Sequence, residues 1–209
     1  MKVLVIGANG KVGRHVARTL QESDHEPVAM VRDTDQVPWF EEQGIKTVLG
    51  NLESNFEEAF YGIDGVIFAA GSGPHTGPDK TIIIDQEGAI KSIELAEQFG
   101  VSRFIMLSSM NADKPEQYPA MKHYLFAKHR ADDYLRKSRL NYTIIRPGGL
   151  TNEEGTGKVR LEESIPEGGT IPRADVAKVL VYLLSVPRAE FKSFDLIRGT
   201  DELGEVLAY

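Results

Sequence analysis

Six short apolar runs, separated by longer mixed segments, constrain the fold of this chain more than any other feature of its sequence. Each run is nearly continuous in apolar residues, as expected for strands that are covered on both faces. The runs are residues 3–6, 28–31, 46–49, 66–69, 104–107 and 142–145. Helical patterns lie between them, at residues 11–22, 56–60, 79–98 and 118–138, and Gly100 follows the third of these as a helix stop. Alternating strands and helices predict right-handed crossovers and therefore a doubly wound parallel sheet in a three-layer α/β fold.

The C-terminal part of the chain has a different composition. Residues 151–172 are rich in Gly, Glu and Pro. We expect a strand near 158–161, a helix over 174–184, a strand over 194–197 and a short helix over 203–207. We interpret 1–209 as a single domain, in which 151–209 form a small substrate-side extension.

Composition excludes several functional classes. The 209 residues include 24 Lys plus Arg, 31 Asp plus Glu and no cysteine, which gives a net charge of −7. The absence of cysteine excludes a disulfide scaffold, a thiolate nucleophile and Cys-ligated metal sites. The negative charge argues against nucleic acid or an anionic membrane as the main partner. No apolar run approaches the roughly 20 residues of a membrane span, so we expect a cytoplasmic protein. We further expect a monomer or a weak homodimer.

A glycine-rich loop follows the first apolar run and opens the first helix. Its spacing is GxxGxxG, and the residues are Gly7, Ala8, Asn9, Gly10, Lys11, Val12 and Gly13. Glycines at such a turn let backbone amides approach a diphosphate, and the helix N-terminus adds unpaired N–H groups and partial positive charge. The loop predicts a dinucleotide-binding site.

The end of the second strand bears on the choice of dinucleotide. Arg32 and Asp33 stand 19 and 20 residues after Gly13. An acidic residue here accepts from a ribose 2′-hydroxyl, whereas an arginine pairs with a 2′-phosphate. Both possibilities remain open, but Lys11 and Arg14 add positive charge, and we favour NADP(H) over NAD(H).

The sequence resembles the extended and atypical branch of the short-chain dehydrogenase/reductase superfamily, which includes epimerase/dehydratase-like and NmrA-like proteins with a Rossmann fold. The resemblance covers most of the chain. It rests on the glycine loop, on three strand ends and on two longer segments, which are residues 50–52, 69–71, 104–109, 124–128 and 142–149.

The resemblance implies further cofactor-binding residues. It implies that Asn51 and Leu52 lie at the adenine. It also implies that the ends of the fourth, fifth and sixth strands border the rest of the cofactor, through Ala69, Ala70, Gly71, Leu107, Ser108, Pro147, Gly148 and Gly149.

Tyr124 and Lys128 are four residues apart and share one face of a predicted helix. A lysine ammonium near a tyrosine hydroxyl favours its ionised form, so Tyr124 could exchange a proton with a substrate oxygen. The resemblance implies that Lys128 also reaches the nicotinamide ribose and that Ser109 holds the substrate oxygen. The chain departs from the family at Asp85, which occupies an Asn position, so a proton relay built on that Asn does not carry over.

These residues predict an NADP(H)-dependent oxidoreductase acting on a small carbonyl or alcohol. The alternatives are an NAD(P)H-sensing binding protein without turnover, a flavin or tetrapyrrole reductase, and an epimerase/dehydratase. Only about 60 residues follow Pro147, so we expect a small or flat substrate. His75 and Arg173 are further candidates for substrate contact, against simpler roles in a loop and at a helix entry, and Trp39 is expected to pack on a surface helix or loop. No metal site is predicted.

Overall fold

A computed structural model describes residues 1–73 and 76–207 of the chain. Its helices are α1 (Lys11–Gln21), α2 (Val37–Glu41), α3 (Pro78–Lys80), α4 (Ala89–Gln98), α5 (Lys122–Lys137) and α6 (Arg173–Tyr182). Its strands are β1 (Lys2–Ile6), β2 (Glu26–Val31), β3 (Lys46–Leu49), β4 (Gly65–Phe68), β5 (Arg103–Leu107), β6 (Tyr142–Pro147), β7 (Gly149–Thr151), β8 (Lys158–Glu162), β9 (Thr170–Pro172), β10 (Lys192–Arg198) and β11 (Asp201–Glu202).

Nine strands form one sheet in the order β3-β2-β1-β4-β5-β6-β10-β8-β11. Every pair from β3 to β10 is parallel, and β8 and β11 complete one edge in antiparallel pairing. The chain order reverses between β1 and β4, and the carboxyl ends of strands at such a switch point form the usual ligand crevice of open α/β sheets. This topology confirms the predicted doubly wound α/β fold.

Alternating side chains on the strands build two apolar layers, one on each face of the sheet. Along β1, Val3 and Val5 belong to a core covered by α1 and α6, whereas Leu4 and Ile6 belong to a core covered by α4 and α5. All four side chains are fully buried. Burial on both faces explains why this strand is continuously apolar instead of alternating.

The segment predicted as one helix over 79–98 begins as α3, continues as a π-helical stretch from Thr81 to Gly88 and ends as α4. Short π-helical segments often occur at functional sites. Here the stretch buries Asp85 and Thr81, so the helix carries a carboxylate into the interior.

Two sequence predictions need correction. The helix expected from residue 118 begins at Lys122, because two 3₁₀ turns (Pro115–Gln117 and Pro119–Met121) precede it; proline fixes φ and supplies no N–H to a helix interior. The helix expected over 203–207 is wrong, since β11 is followed by turns. A five-residue segment with Gly204 at its second position is too short to stabilise a helical nucleus.

The C-terminal extension contributes β8, β10 and β11 to the main sheet, whereas β7 and β9 form a separate parallel pair. The sequence pattern indicated β8 and β10 but neither β7 nor β9, whose three-residue lengths leave no periodicity to detect. Within the described residues, no helix is both long enough and apolar enough to cross a membrane.

Candidate functional site

A cleft of about 310 Å³ opens at the carboxyl ends of β1, β2, β3 and β4, beside the switch point of the sheet. Eight residues predicted for the cofactor line it, namely Gly7, Asn9, Arg32, Asn51, Leu52, Ala69, Ala70 and Gly71. The sequence analysis did not assign the other eight to the cofactor, and they are Met30, Gln36, Gly50, Glu53, Ser72, Thr76, Lys80 and Ile84. Three of these, Gly50, Glu53 and Ser72, directly adjoin a predicted residue in sequence. For them the signal available was proximity to the ends of β3 and β4.

Glycine is required at two positions of the loop between β1 and α1. Gly7 has φ +82°, and a Cβ there would lie 2.5 Å from the backbone of Ala70. A Cβ on Gly13 would lie 2.1 Å from the carbonyl oxygen of Gly7, so this residue lets α1 pack directly on the loop. At Gly10 the nearest atom would be 3.1 Å away.

The N-terminus of α1 is open to an anion. Gly10 precedes the helix, no side chain caps it, and its first turn contains no acidic residue. The unpaired N–H groups and the helix dipole favour negative charge at this end. Together with the glycine cradle and the neighbouring cleft, this geometry fits a dinucleotide with its diphosphate over the loop.

Arg32, Asp33 and Gln36 form a small hydrogen-bonded cluster after β2. The Nε of Arg32 donates to Oδ2 of Asp33 at 3.0 Å, and its backbone N donates to Oε1 of Gln36 at 3.1 Å. The Nε2 of Gln36 donates to the same Asp33 oxygen at 3.2 Å. Arg32 and Gln36 line the cleft, whereas Asp33 is not among its lining residues. Asp33 thus orients Arg32 from outside the cleft.

Lys128 is a buried cation paired with a buried carboxylate. Its Nζ lies 3.0 Å from Oδ1 of Asp85, and the two side chains are 5% and 1% exposed. The other carboxylate oxygen of Asp85 accepts from the backbone N of Ser72 at 2.9 Å. Burial lowers the pKa of Lys128, but Asp85 and Tyr124 outweigh it, so the net direction is upward and the amine stays charged. Asp85, which the sequence marked only as a departure, is therefore the partner of Lys128.

Tyr124 is half-buried on the same face of α5, and the Nζ of Lys128 lies 5.8 Å from the centre of its ring. Ser109 is half-buried just beyond β5, where its hydroxyl donates to the carbonyl of Met110 at 3.3 Å. Ser108 and Leu107 are buried. These residues do not line the cleft, and they belong instead to the α5 side of the sheet edge.

Beneath them lies a second buried ion pair, between Asp132 on α5 and Arg146 on β6. Two nitrogens of the guanidinium contact Oδ2 of Asp132, Nε at 3.1 Å and Nη2 at 3.0 Å. Burial raises the pKa of Asp132, while Arg146 and Ser108 act in the opposite direction. The pair ties α5, which carries Tyr124 and Lys128, to the sheet.

Pro147, Gly148 and Gly149 connect β6 to β7. A Cβ on Gly148 would lie 2.3 Å from the carbonyl oxygen of Gly169, so close packing of this connection on the approach to β9 explains the glycine. The three residues lie outside the cleft lining, as do Gly10, Lys11, Val12 and Gly13. Lys11 lines a different pocket, together with Trp39 and Arg173.

His75 lies outside the described residues. Among the residues that are described, no group of three or more His, Asp or Glu side chains could hold a metal ion.

The chain matches the family described as NAD(P)H-binding over residues 7–187. It is 46% identical over 212 residues to "Uncharacterized sugar epimerase YhfK" of Bacillus subtilis, with 99% of each chain covered. It is 50% identical to a solved Bacillus halodurans protein that carries the name of an NAD-dependent epimerase/dehydratase, with a TM-score of 0.97 and coverage of 99% and 98%. The solved oxidoreductase ylbE of Lactococcus lactis is 32% identical, with a TM-score of 0.87 and coverage of 99% and 95%.

These likenesses extend over almost the whole chain and include the glycine loop, the switch point and α5. The names of these relatives agree with the dinucleotide-binding geometry of the glycine loop and the cleft. The chain therefore belongs to the NAD(P)H-binding family, in its NAD(P)-dependent epimerase and NmrA-like branch.

Proposed function

We propose that this protein is an NADP(H)-dependent oxidoreductase that acts on a small carbonyl or alcohol, with Tyr124 as the acid–base residue. The observation that carries the proposal is the buried, charged Lys128 beside Tyr124 on one face of α5. That pair lies at the carboxyl edge of the sheet, where the glycine loop also lies.

The residues that would hold the cofactor are those of the cleft and the loop. The open N-terminus of α1 would face the diphosphate, and Asn51 and Leu52 would border the adenine. When bound, the dinucleotide supplies a hydride donor or acceptor at its nicotinamide ring.

Tyr124 would give a proton to, or take one from, the substrate oxygen. Lys128 stays protonated because Asp85 stabilises its charge, and a fixed positive charge favours the ionised form of a nearby hydroxyl. Asp85 also partly neutralises that charge, so it sets how strongly Lys128 acts on Tyr124. Ser109 would hold the substrate oxygen beside Tyr124.

Apolar side chains next to Tyr124 suggest a substrate with an apolar part. Met121 precedes Tyr124 by three residues, and Tyr118 lies one further turn before it; both are exposed. A small or flat carbonyl compound suits this surface better than a highly charged one.

Preference for NADP(H) is supported by the position of Arg32 in the cleft lining. A guanidinium pairs well with a phosphate dianion, and Asp33 holds the Arg32 side chain without lining the cleft itself.

A second candidate is an epimerase or dehydratase, which the names of the Bacillus relatives favour. Such enzymes begin with the same hydride transfer but return the hydride within one turnover, so they consume no cofactor overall. Net oxidation of NADPH by a carbonyl substrate therefore separates the two candidates.

The test compares the wild-type chain with Tyr124→Phe. NADPH oxidation is followed optically against a panel of small aldehydes, ketones and quinones, and NADPH binding is measured by fluorescence. We expect Tyr124→Phe to lower kcat/KM by about 10²-fold or more, the usual contribution of acid–base catalysis, with NADPH affinity unchanged. Tyr134→Phe is the matched control, since Tyr134 also lies on α5 but its hydroxyl donates a hydrogen bond to Glu94 on α4.

Turnover that survives Tyr124→Phe would contradict the acid–base role and favour a flavin or tetrapyrrole reductase, which needs only bound NADPH and an open shelf. Binding without turnover on any member of the panel would favour a sensor instead.

A further inference from the structure

A second pocket of about 270 Å³ lies on the α1 and α6 side of the molecule, outside the cofactor cleft. Four cationic side chains line it, together with His15, Trp39 and Asn152; the cations are Lys11, Arg14, Arg18 and Arg173. Three of them come from α1 at helical spacing, which brings them to one side of the helix. The fourth comes from the start of α6.

The charge of this pocket is not neutralised by the protein. In the described part of the chain, no carboxylate lies within 4.0 Å of any of the four cations, and none lines the pocket. This is unusual for a molecule with a net charge of −7. Like charges held together destabilise the fold unless something compensates them, which an anionic ligand would do.

Contacts with uncharged groups hold the three arginines of the pocket in place. The guanidinium carbons of Arg14 and Arg18 lie 4.5 and 4.8 Å from the centre of the Trp39 ring, which is cation–π distance. Arg173 donates from Nη1 to Oδ1 of Asn152 at 2.7 Å and to the carbonyl of Leu150 at 3.2 Å. Preorganised donors lose less entropy when they bind.

His15 also lines this pocket, and its pKa responds to the electrostatic environment there. Burial lowers the pKa of His15, and the positive charges of Arg18 and Arg173 lower it further. Burial is the larger cause and disfavours charge of either sign, but the contributions of Arg18 and Arg173 show that both guanidinium groups act on this wall of the pocket.

We propose that this pocket binds the phosphate group of a small phosphorylated ligand. Guanidinium donors match phosphate geometry in a bidentate manner, and the volume suits a small ligand. Of this lining, only Lys11 and Arg14 bear on the proposed cofactor site, and the proposed oxidoreductase chemistry requires none of Arg18, Trp39 and Arg173.

The pocket and the cofactor cleft share one wall. The Nε and Nη2 of Arg14, in the pocket, donate to Oδ1 of Asn9 at 3.1 and 2.7 Å, and Asn9 lines the cleft. A phosphate in the pocket could therefore come from two sources, a free ligand or the dinucleotide itself. We assign it to a free ligand, because Arg18 and Arg173 line the pocket but not the cleft.

The experiment is a calorimetric titration of the full chain with inorganic pyrophosphate, in the presence and absence of saturating NADPH. With saturating NADPH, which occupies the glycine loop, we expect one binding event. Without NADPH, we expect the same event beside any binding of pyrophosphate at the loop. Arg18→Gln should weaken binding in the pocket about tenfold, as expected for the loss of one charge-assisted contact, while NADPH binding stays unchanged. Arg130→Gln is the matched control, since Arg130 is exposed on α5, across the sheet.

Three results would overturn the proposal: no pyrophosphate binding, binding that NADPH abolishes, or equal affinity in wild type and Arg18→Gln. The second would assign the pocket to the cofactor's own phosphates. Because the titration without NADPH measures binding alone, a failure of the proposed enzyme activity leaves its outcome unaffected.

Discussion

At the scale of single residues, the pairing of Asp85 with Lys128 governs the chemistry that α5 can offer. A lysine buried without a partner would lose its proton, because desolvation disfavours the charged form. Asp85 reverses that tendency, and its second oxygen is satisfied by Ser72. The carboxylate thus stabilises the ammonium and fixes its position beneath Tyr124.

Asp85→Asn tests this pairing. It leaves a buried ammonium without its counter-charge, and we expect the free energy of unfolding to fall by about 3 kcal/mol at neutral pH. Urea denaturation measures the change. Glu87→Gln, an exposed carboxylate in the same π-helical stretch, serves as the control and should alter stability very little.

The pH dependence of stability should also change. In the wild type, the raised pKa of Lys128 contributes stability that is fully present below the unfolded lysine value of about 10.4 and is lost as pH rises through the folded value. In Asp85→Asn, burial is no longer offset by Asp85, its largest opponent, and we expect the folded pKa of Lys128 to fall below the unfolded one. The free energy of unfolding of the variant should then rise with pH between its lowered folded pKa and the unfolded value of about 10.4. Parallel curves of stability against pH for the two proteins would argue against the pairing.

Arg32→Ala tests the choice of dinucleotide. If Arg32 binds the 2′-phosphate, the variant should lose about tenfold in NADPH affinity while its NADH affinity stays the same. Asp33→Asn is the informative counterpart. A loss of NADH affinity in that variant, with NADPH unaffected by Arg32→Ala, would assign the position to Asp33 and the ribose hydroxyl.

At the scale of elements, Arg103 joins three parts of the chain at the edge of the sheet opposite the cleft. From β5 it donates to the carbonyl of Asn141 at 3.1 Å, to the hydroxyl of Thr143 and to the carbonyl of Leu183 at 3.0 Å. Burial lowers its pKa to about 10, so the guanidinium remains charged at neutral pH. It ties β5 to β6 and to the turn that ends α6.

Arg103→Met should lower the free energy of unfolding by about 3 kcal/mol, since several buried acceptors lose their donor. Arg188→Met, on a neighbouring exposed turn, is the control. The two urea midpoints are compared directly. If they coincide, Arg103 does not connect these elements energetically.

At the scale of the whole molecule, the reversal of strand order between β1 and β4 creates the cleft, and the loops of both halves border it. A ligand there contacts the ends of β1, β2, β3 and β4 together. It should therefore stabilise the protein as a unit. The expected monomer or weak homodimer stays a prediction.

NADPH at 100 times its dissociation constant should add about 2.7 kcal/mol of stability. For a chain of this size, that corresponds to a rise in Tm of about 5–10 °C. Differential scanning fluorimetry measures it, with nicotinamide mononucleotide as the control, which lacks the adenosine that the cleft would hold. Equal shifts with both compounds would place the binding site elsewhere.

Much of the fold could be predicted from the sequence because it depends on local patterns. Apolar runs of strand length specified the parallel strands, and the glycine spacing specified the turn into α1, where only glycine fits at Gly7 and Gly13. The separation of Tyr124 and Lys128 put both on one helical face. Each of these features is set by residues within a few positions of one another.

Only the tertiary structure decided which distant residues meet. Asp85 and Lys128 are 43 positions apart, and Arg173 reaches the α1 pocket from the other end of the chain. The π-helical stretch that buries Asp85, the β7 and β9 pair, the strand β11 and the antiparallel pairing of β8 also escaped prediction. Such contacts depend on how crossovers bring separate elements together, and a periodic pattern within one element carries no information about its neighbours.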